Sequence, residues 1–242
     1  MQSKLNRMAL MRELKAAGTP ERAAGAARFF KTGPGEYGEG DIFLGITVPV
    51  LRAIVWRYRT LELDEIERLL AAKEHECRLA ALLILVAQFE RGDKAVRRAI
   101  LDLYLRSTRF INNWDLVDAS CREIVGGSLR TGSRRLLTRL VKSKSLWERR
   151  IAIVSTMALV RDGELDDALR IAELLLDDEH DLIHKAIGWV LRVVGDVDRT
   201  VLIDFLGQHY ERVPRTALRY AIEHFPAEER KRMLAGRFAA RR

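Results

Sequence analysis

Apolar residues along the chain recur at intervals of three and four. "LAALLILVAQF" and "LLTRLVKSKSLWERRIAIV" are the clearest stretches, and this spacing puts apolar side chains on one face of an α-helix. Alternating β-branched runs are scarce and prolines number only five, so strands are not expected. Helix starts are marked. Thr19-Pro20 fits an N-cap followed by proline in the first turn. Ser145 with Glu148 three residues later fits a capping box. Asn113 fits a cap for a helix starting at Trp114, and Gly126-Gly127 fits its end.

The helical segments also repeat. "CRLAALLIL", "RRIAIVSTM", "HKAIGWVLRVV" and "PRTALRYAIEHF" each place a cation ahead of a small-and-aliphatic run: Arg78, Arg150, Lys185 and Arg215. With Asp115 as the anchor of the intervening "NWDLVDAS", the steps are 37, 35, 35 and 30 residues, the scale of one helix pair. One such unit cannot bury its apolar stripe alone, so neighbours must stack. The expectation is an all-α helical-repeat solenoid formed as one domain over 1–242, with the second helix of each pair lining a concave face. An irregular helical bundle is the alternative. One stretch interrupts the pattern: "KTGPGEYGEGD", residues 31–41, reads as a mobile loop. Its glycines match GxGxxG only formally, because no strand precedes them, and Glu36, Glu39 and Asp41 would repel a phosphate.

Charge narrows the partners. Lys and Arg total 42 against 34 Asp and Glu, a net +8 with a pI near 9.8, which favours an anionic partner. Cys77 and Cys121 stand far apart within apolar stretches and read as core residues rather than a disulfide or zinc site. The N-terminus shows no signal-peptide core and no run of about 18 apolar residues occurs, so a cytoplasmic protein without a membrane span is expected.

The candidate chemistry sits in "NNWDLVDAS". On a helical wheel Trp114 and Asp118 share a face at the edge of a core stripe formed by Val117, Cys121 and Ile124. An aspartate there is partly desolvated and needs a cation or hydrogen-bond donors to stay charged. Arg150 occupies an early position in the next repeat, and Lys185, Trp189 and Arg192 follow i, i+4, i+7 spacing one repeat further. Stacked in register, these helices would gather one carboxylate, two indoles and several cations. Taken singly, each residue has a plainer reading: a rim-of-core tryptophan, an inter-repeat ion pair of Asp118 with Arg150, or packing arginines. His180 and His184 have metal-ligand spacing but lack the glutamate of HExxH and a third ligand, and no nucleophile elbow occurs. The basic tail reads as a solvated end, frayed from 236 to 242.

The chain resembles the AlkD-like DNA alkylation repair glycosylases, a family of HEAT-like helical repeats. The matching stretches are "FLGITVPVLR" (43–52), "WDLVD" (114–118), "LWERRIAI" (146–153) and "HKAIGWVLR" (184–192), spread over most of the sequence. The resemblance implies a HEAT-like solenoid with a concave basic face. It also implies a monomeric enzyme, without metal or cofactor, that removes N3- or N7-alkylated purines from double-stranded DNA without flipping the base. It gives Asp118 the catalytic role, Trp114 and Trp189 the two active-site indoles, and Arg150 the arginine beside them. Arg78, Arg149, Lys185, Arg192 and Phe29 are then expected to contact DNA, and the protein to associate with the nucleoid when bound. Where well-studied members have a tyrosine, this chain has Phe29, so a ring is kept and a hydroxyl lost. Two alternatives remain open on sequence alone: a non-catalytic nucleic-acid-binding solenoid, and a protein-interaction scaffold.

Overall fold

The computed structural model describes residues 6–238. Among them the secondary structure is helical, with no strand and one isolated bridge between Ile42 and Glu74. The fold is an all-α helical repeat. The chain divides into two compact units, Met1–Ile124 and Val125–Arg242.

The first unit comprises α1 (Arg7–Ala17), α2 (Pro20–Phe29), α3 (Val48–Arg57), α4 (Leu63–Leu70), α5 (His75–Arg91), α6 (Lys94–Arg106) and α7 (Trp114–Asp118). Its centre is α5. Every residue from His75 to Leu85 is buried, as expected of a helix that is apolar on all sides and surrounded by others. The neighbouring α4 is strongly one-sided and buries Ile66, Leu69 and Leu70. The Thr19-Pro20 start is as expected: Pro20 opens α2 and Thr19 Oγ1 accepts the Arg22 amide at 3.4 Å.

Residues 41–47 are tied to the first turn of α5. The Glu76 carboxylate accepts the amides of Leu44, Gly45 and Ile46 at 2.8, 2.8 and 3.2 Å. Gly45 has φ of 80°, and a Cβ there would lie 2.3 Å from the Thr19 carbonyl oxygen and 2.4 Å from the Ala23 amide nitrogen. Only glycine fits. The loop 31–41 is a series of hydrogen-bonded turns, two of them closed by its own exposed acids. Glu36 accepts the Gly33 amide and Glu39 the Gly35 amide, at 2.9 and 3.0 Å. These two carboxylates therefore cap the loop itself.

The second unit comprises α8 (Gly127–Leu129), α9 (Arg135–Val141), α10 (Leu146–Ser155), α11 (Met157–Val160), α12 (Asp166–Leu174), α13 (Asp181–Val197), α14 (Arg199–Gln208), α15 (Arg215–Ala221) and α16 (Ala227–Leu234). Its long helix α13 buries Ile183, Ala186, Ile187, Val190, Leu191 and Val194, the stripe its sequence predicts. Ser145 does precede α10, but its side chain makes no capping bond; instead its amide donates to Ser143 Oγ at 3.1 Å. The basic tail begins inside α16. Beyond it the Phe238 ring packs on Tyr210 at 5.4 Å and against Gly207, which holds the chain to the end of α14. The expected fraying over 239–242 lies outside the described residues.

The helices that begin at His75, Trp114, Leu146, Asp181 and Arg215 carry the repeat, and they correct its register. Arg78 is the fourth residue of α5 and donates to the carbonyls six and five residues before it, Ala72 and Lys73. Arg149 is the fourth residue of α10 and does the same to Ser143 and Lys144. His184, the fourth residue of α13, bonds the Asp178 carbonyl six residues back. Arg149 and His184, rather than Arg150 and Lys185, are the counterparts of Arg78. At α10 and α13 the sequence offers two adjacent basic residues. What separates them is which one turns back to satisfy the carbonyls of the preceding loop.

Candidate active site

Helix α7 is a short element with an unusual exit. Asn113 is its buried N-cap, and its Oδ1 accepts the Trp114 amide at 2.8 Å. Leu116 and Val117 face the core, and the predicted stripe of Val117, Cys121 and Ile124 is fully buried. Trp114 and Asp118 stand one turn apart on the same helix, both half-buried. The helix stops at Asp118, not at Gly126-Gly127. Ser120 explains the break: its hydroxyl donates to the Leu116 carbonyl at 2.6 Å and meets the Tyr104 hydroxyl at 3.1 Å. A serine that bonds back to the i−4 carbonyl competes with the helix ladder. The chain continues through a π turn, Arg122–Gly126, a deviation common near functional sites.

The Trp114 indole is enclosed by rings from α2 and the loop after it. Phe29 meets it edge-on at 6.0 Å and Phe30 lies tilted at 5.3 Å. Its Nε1–H donates to the Tyr37 hydroxyl at 3.3 Å. Phe29 itself is 65% exposed, so an apolar ring at the mouth of this cluster is open to a ligand. The glycine-rich loop thus supplies a phenol beside the indole, close to where the Phe29 position lost one.

Beneath the rings lies a buried polar network. His75, 2% exposed, bonds Asp41 Oδ2 through Nδ1 at 2.9 Å and Asp115 Oδ2 through Nε2 at 2.8 Å. Asp41 Oδ1 accepts Arg78 at 2.5 Å, and its Oδ2 also accepts the Asn113 side-chain amide at 3.2 Å. Phe43 stacks on the imidazole at 4.5 Å and Phe30 lies 5.2 Å away. Burial opposes a charge on His75, but hydrogen bonds to Asp115 and Asp41 overcome it and raise the imidazole's pKa above its ordinary value. For Asp41, burial works against the carboxylate, while His75 and Arg78 outweigh it and hold the pKa below the usual range. The Cys77 thiol next to this network is pushed up to about 12 by burial, so it stays protonated.

This network engages one of the two carboxylates of "WDLVD". Asp115 is committed: one oxygen takes His75 and the other accepts the Leu116 amide at 2.8 Å. Asp118 lies one turn from Trp114, on the same side of α7.

In the second unit, Arg150 is buried, 5% exposed, and donates to the Leu182 carbonyl at 2.6 Å, which joins α10 to the first turn of α13. Lys185, Trp189 and Arg192 line one side of α13, all half-buried. Lys185 pairs with Asp181 at 2.8 Å and Arg192 with Glu223. Arg149 pairs with Asp178 at 2.6 Å as well as with its two carbonyls. Arg78, expected among the DNA-contacting cations, is buried and its guanidinium serves Asp41, Ala72 and Lys73. That removes it from direct contact with a phosphate. His180 Nδ1 accepts the Leu182 amide as the cap of α13. Among the described residues no group of three or more His, Cys, Asp or Glu is placed to hold a metal ion.

Sequence reasoning missed His75 and Tyr37, read Asn113 only as a helix cap and Asp115 only as a repeat anchor, and read Asp41 only as a repelling loop charge. One signal was present. His75 and Arg78 open an otherwise apolar segment, and polar groups buried at a helix start need partners.

The fold is a helical repeat that sets an indole and a carboxylate one turn apart, beside an exposed aromatic ring. The chain belongs to the DNA alkylation repair enzyme family, whose model matches residues 10–225. That membership supports a role in DNA repair. A solved structure described as a predicted DNA alkylation repair enzyme from Enterococcus faecalis is similar in fold, with a TM-score of 0.69 at 20% identity, over 87% of this chain and 97% of that one. No curated protein matches the chain. Among the described residues no helix is long and apolar enough to cross a membrane.

Proposed function

We propose that the protein is a DNA glycosylase that removes N3- or N7-alkylated purines from duplex DNA, with Asp118 as the catalytic carboxylate. The observation that carries this reading is the division of labour in α7. Both oxygens of Asp115 are engaged, by His75 and a backbone amide, and Asp118 lies one turn from Trp114 on the same face of α7.

Alkylation at N3 or N7 puts a positive charge on the base. The C1′–N bond then breaks with its electron pair leaving on the purine, which departs neutral, so no general acid is needed. One carboxylate suffices where ordinary glycoside hydrolysis uses two. Asp118 stabilises the oxocarbenium-like sugar and takes a proton from the water that attacks C1′, later passing it to solvent. The electron-rich face of Trp114 favours the cationic nucleotide. Phe29 offers a further ring to the lesion strand. Lys185 and Arg192 bind the DNA backbone without reading sequence. The enzyme works from the backbone side, without enclosing the base, and acts as a monomer.

The test is release of free base and abasic sites from duplex DNA carrying 7-methylguanine or 3-methyladenine. Asp118→Asn is expected to lower the excision rate by at least about a hundredfold with DNA affinity nearly unchanged. Equal loss of affinity and rate would assign Asp118 to folding. Wild-type binding without any released base would point to a non-catalytic DNA-binding protein.

A further inference from the structure

A helix of five residues cannot hold its own position. It forms too few internal hydrogen bonds to offset its backbone entropy, so its direction is set by what grips it. For α7 the apolar part of the grip is the burial of Leu116 and Val117, and a polar part comes from two distant segments. His75, at the start of α5, bonds Asp115 on α7 and Asp41 at the end of the glycine-rich loop. Asn113, the cap of α7, reaches the same Asp41. The loop's Tyr37 takes the indole N–H of Trp114.

We propose that His75 is a positioning residue which, by bridging Asp41 and Asp115, braces α7 and so sets the direction of Trp114 and Asp118, with the 31–41 loop as the strut. The proposal rests on the reading that Asp118 does the chemistry. It assigns the loop a part that its glycine content alone would not suggest: it brings one carboxylate and one phenol to the same short helix. The bridge is charge-assisted from both sides, which makes each bond stronger than a neutral one and orients the ring. The groups facing the imidazole are Asp41 from the loop, Asp115 from α7, the Arg78 guanidinium of its own helix through Asp41, and the flat faces of Phe43 and Phe30. A neutral imidazole has one N–H and can donate to only one of the two carboxylates, so loss of the proton releases one end of the brace.

The experiment uses the full chain labelled with 15N. The His75 ring and Trp114 indole signals are assigned by their loss in His75→Gln and Trp114→Phe. Both His75 nitrogens are expected to carry protons at neutral pH. On alkaline titration the Trp114 indole signal should move with the His75 midpoint, and this movement should vanish in His75→Gln. Asp115→Asn, at a partly exposed position, keeps the shape but removes one charge. It should lower the His75 midpoint and carry the Trp114 midpoint down with it. On duplex DNA containing 7-methylguanine, His75→Gln should slow single-turnover excision by about 10- to 100-fold while the Kd changes less than about twofold. A His75 titration that leaves the Trp114 signal still, or wild-type excision by His75→Gln, overturns the brace. If the wild-type protein releases no base, the glycosylase reading fails, and the coupled titration still decides whether the brace exists.

Discussion

At the scale of single residues, the first unit hangs segments 41–47 and 113–118 on the opening turn of α5. Glu76 holds three successive backbone amides, and His75 with Arg78 holds Asp41. A neutral core would need no such pairing, so these groups give the unit a pH signature. The folded-state pKa of His75 is raised above its ordinary 6.5. Its contribution to stability is therefore complete below that value and is lost as pH rises through the folded pKa. Asp41 has its pKa lowered from 3.8, so its contribution is present above 3.8 and disappears as pH falls through the folded value. The two windows overlap on the mildly acidic side of neutrality. Urea unfolding followed across pH should show stability declining on the alkaline side of that window, and His75→Gln should flatten this limb. An alkaline limb identical in the variant would mean that His75 folds already neutral.

At the scale of elements, the packing of α13 on α15 depends on a single missing methyl group. A Cβ at Gly188 would lie 2.5 Å from the Ala217 carbonyl oxygen and 2.5 Å from the Tyr220 Cβ. Neither backbone nor Cβ can move without shifting a helix. Gly188→Ala is expected to cost about 1–3 kcal/mol by overpacking, measured by chemical denaturation, and to disturb the emission of the adjacent Trp189. A neutral result would show that the two helices have slack. The motif "AIGWVLR" thus has a buried half, Gly188, and a half-buried one, Trp189. The elements were legible in the sequence because helix period, proline placement and caps at Thr19 and Asn113 all act locally. The end of α7 was not, because it depends on where one hydroxyl, Ser120, chooses to bond. The repeat register was read one residue off at α10 and α13, since adjacent cations look alike until one of them turns back to its loop. The brace of Asp41, His75 and Asp115 joins residues far apart in sequence, and no local pattern marks such a meeting.

At the scale of the whole molecule, the net charge of +8 overstates the cations ready for DNA. A cation contributes to counterion release only if it can leave its protein partner for a phosphate, and each that does so adds about 0.9 to the slope of log K against log salt. Lys185 is well placed for this exchange. Its side chain is 40% exposed, and its partner Asp181 is an i−4 neighbour that is itself open to water. Such exposed pairs are worth little, so replacing one with a phosphate costs little. Arg149 is the opposite case: its guanidinium is fixed by Asp178 and by two carbonyls, and leaving them would strand the buried Asp178 carboxylate. Arg150 is more deeply buried still. Lys185→Ala should therefore reduce the magnitude of the salt slope by about 1, whereas Arg149→Ala should change it by less than about half of that and instead lower thermal stability. Fluorescence anisotropy on one undamaged duplex, measured from low to moderate salt, separates these outcomes. An equal loss of slope in both variants would mean that Arg149 breaks its pairing to reach the phosphate, and that the charges of the second unit rearrange on binding.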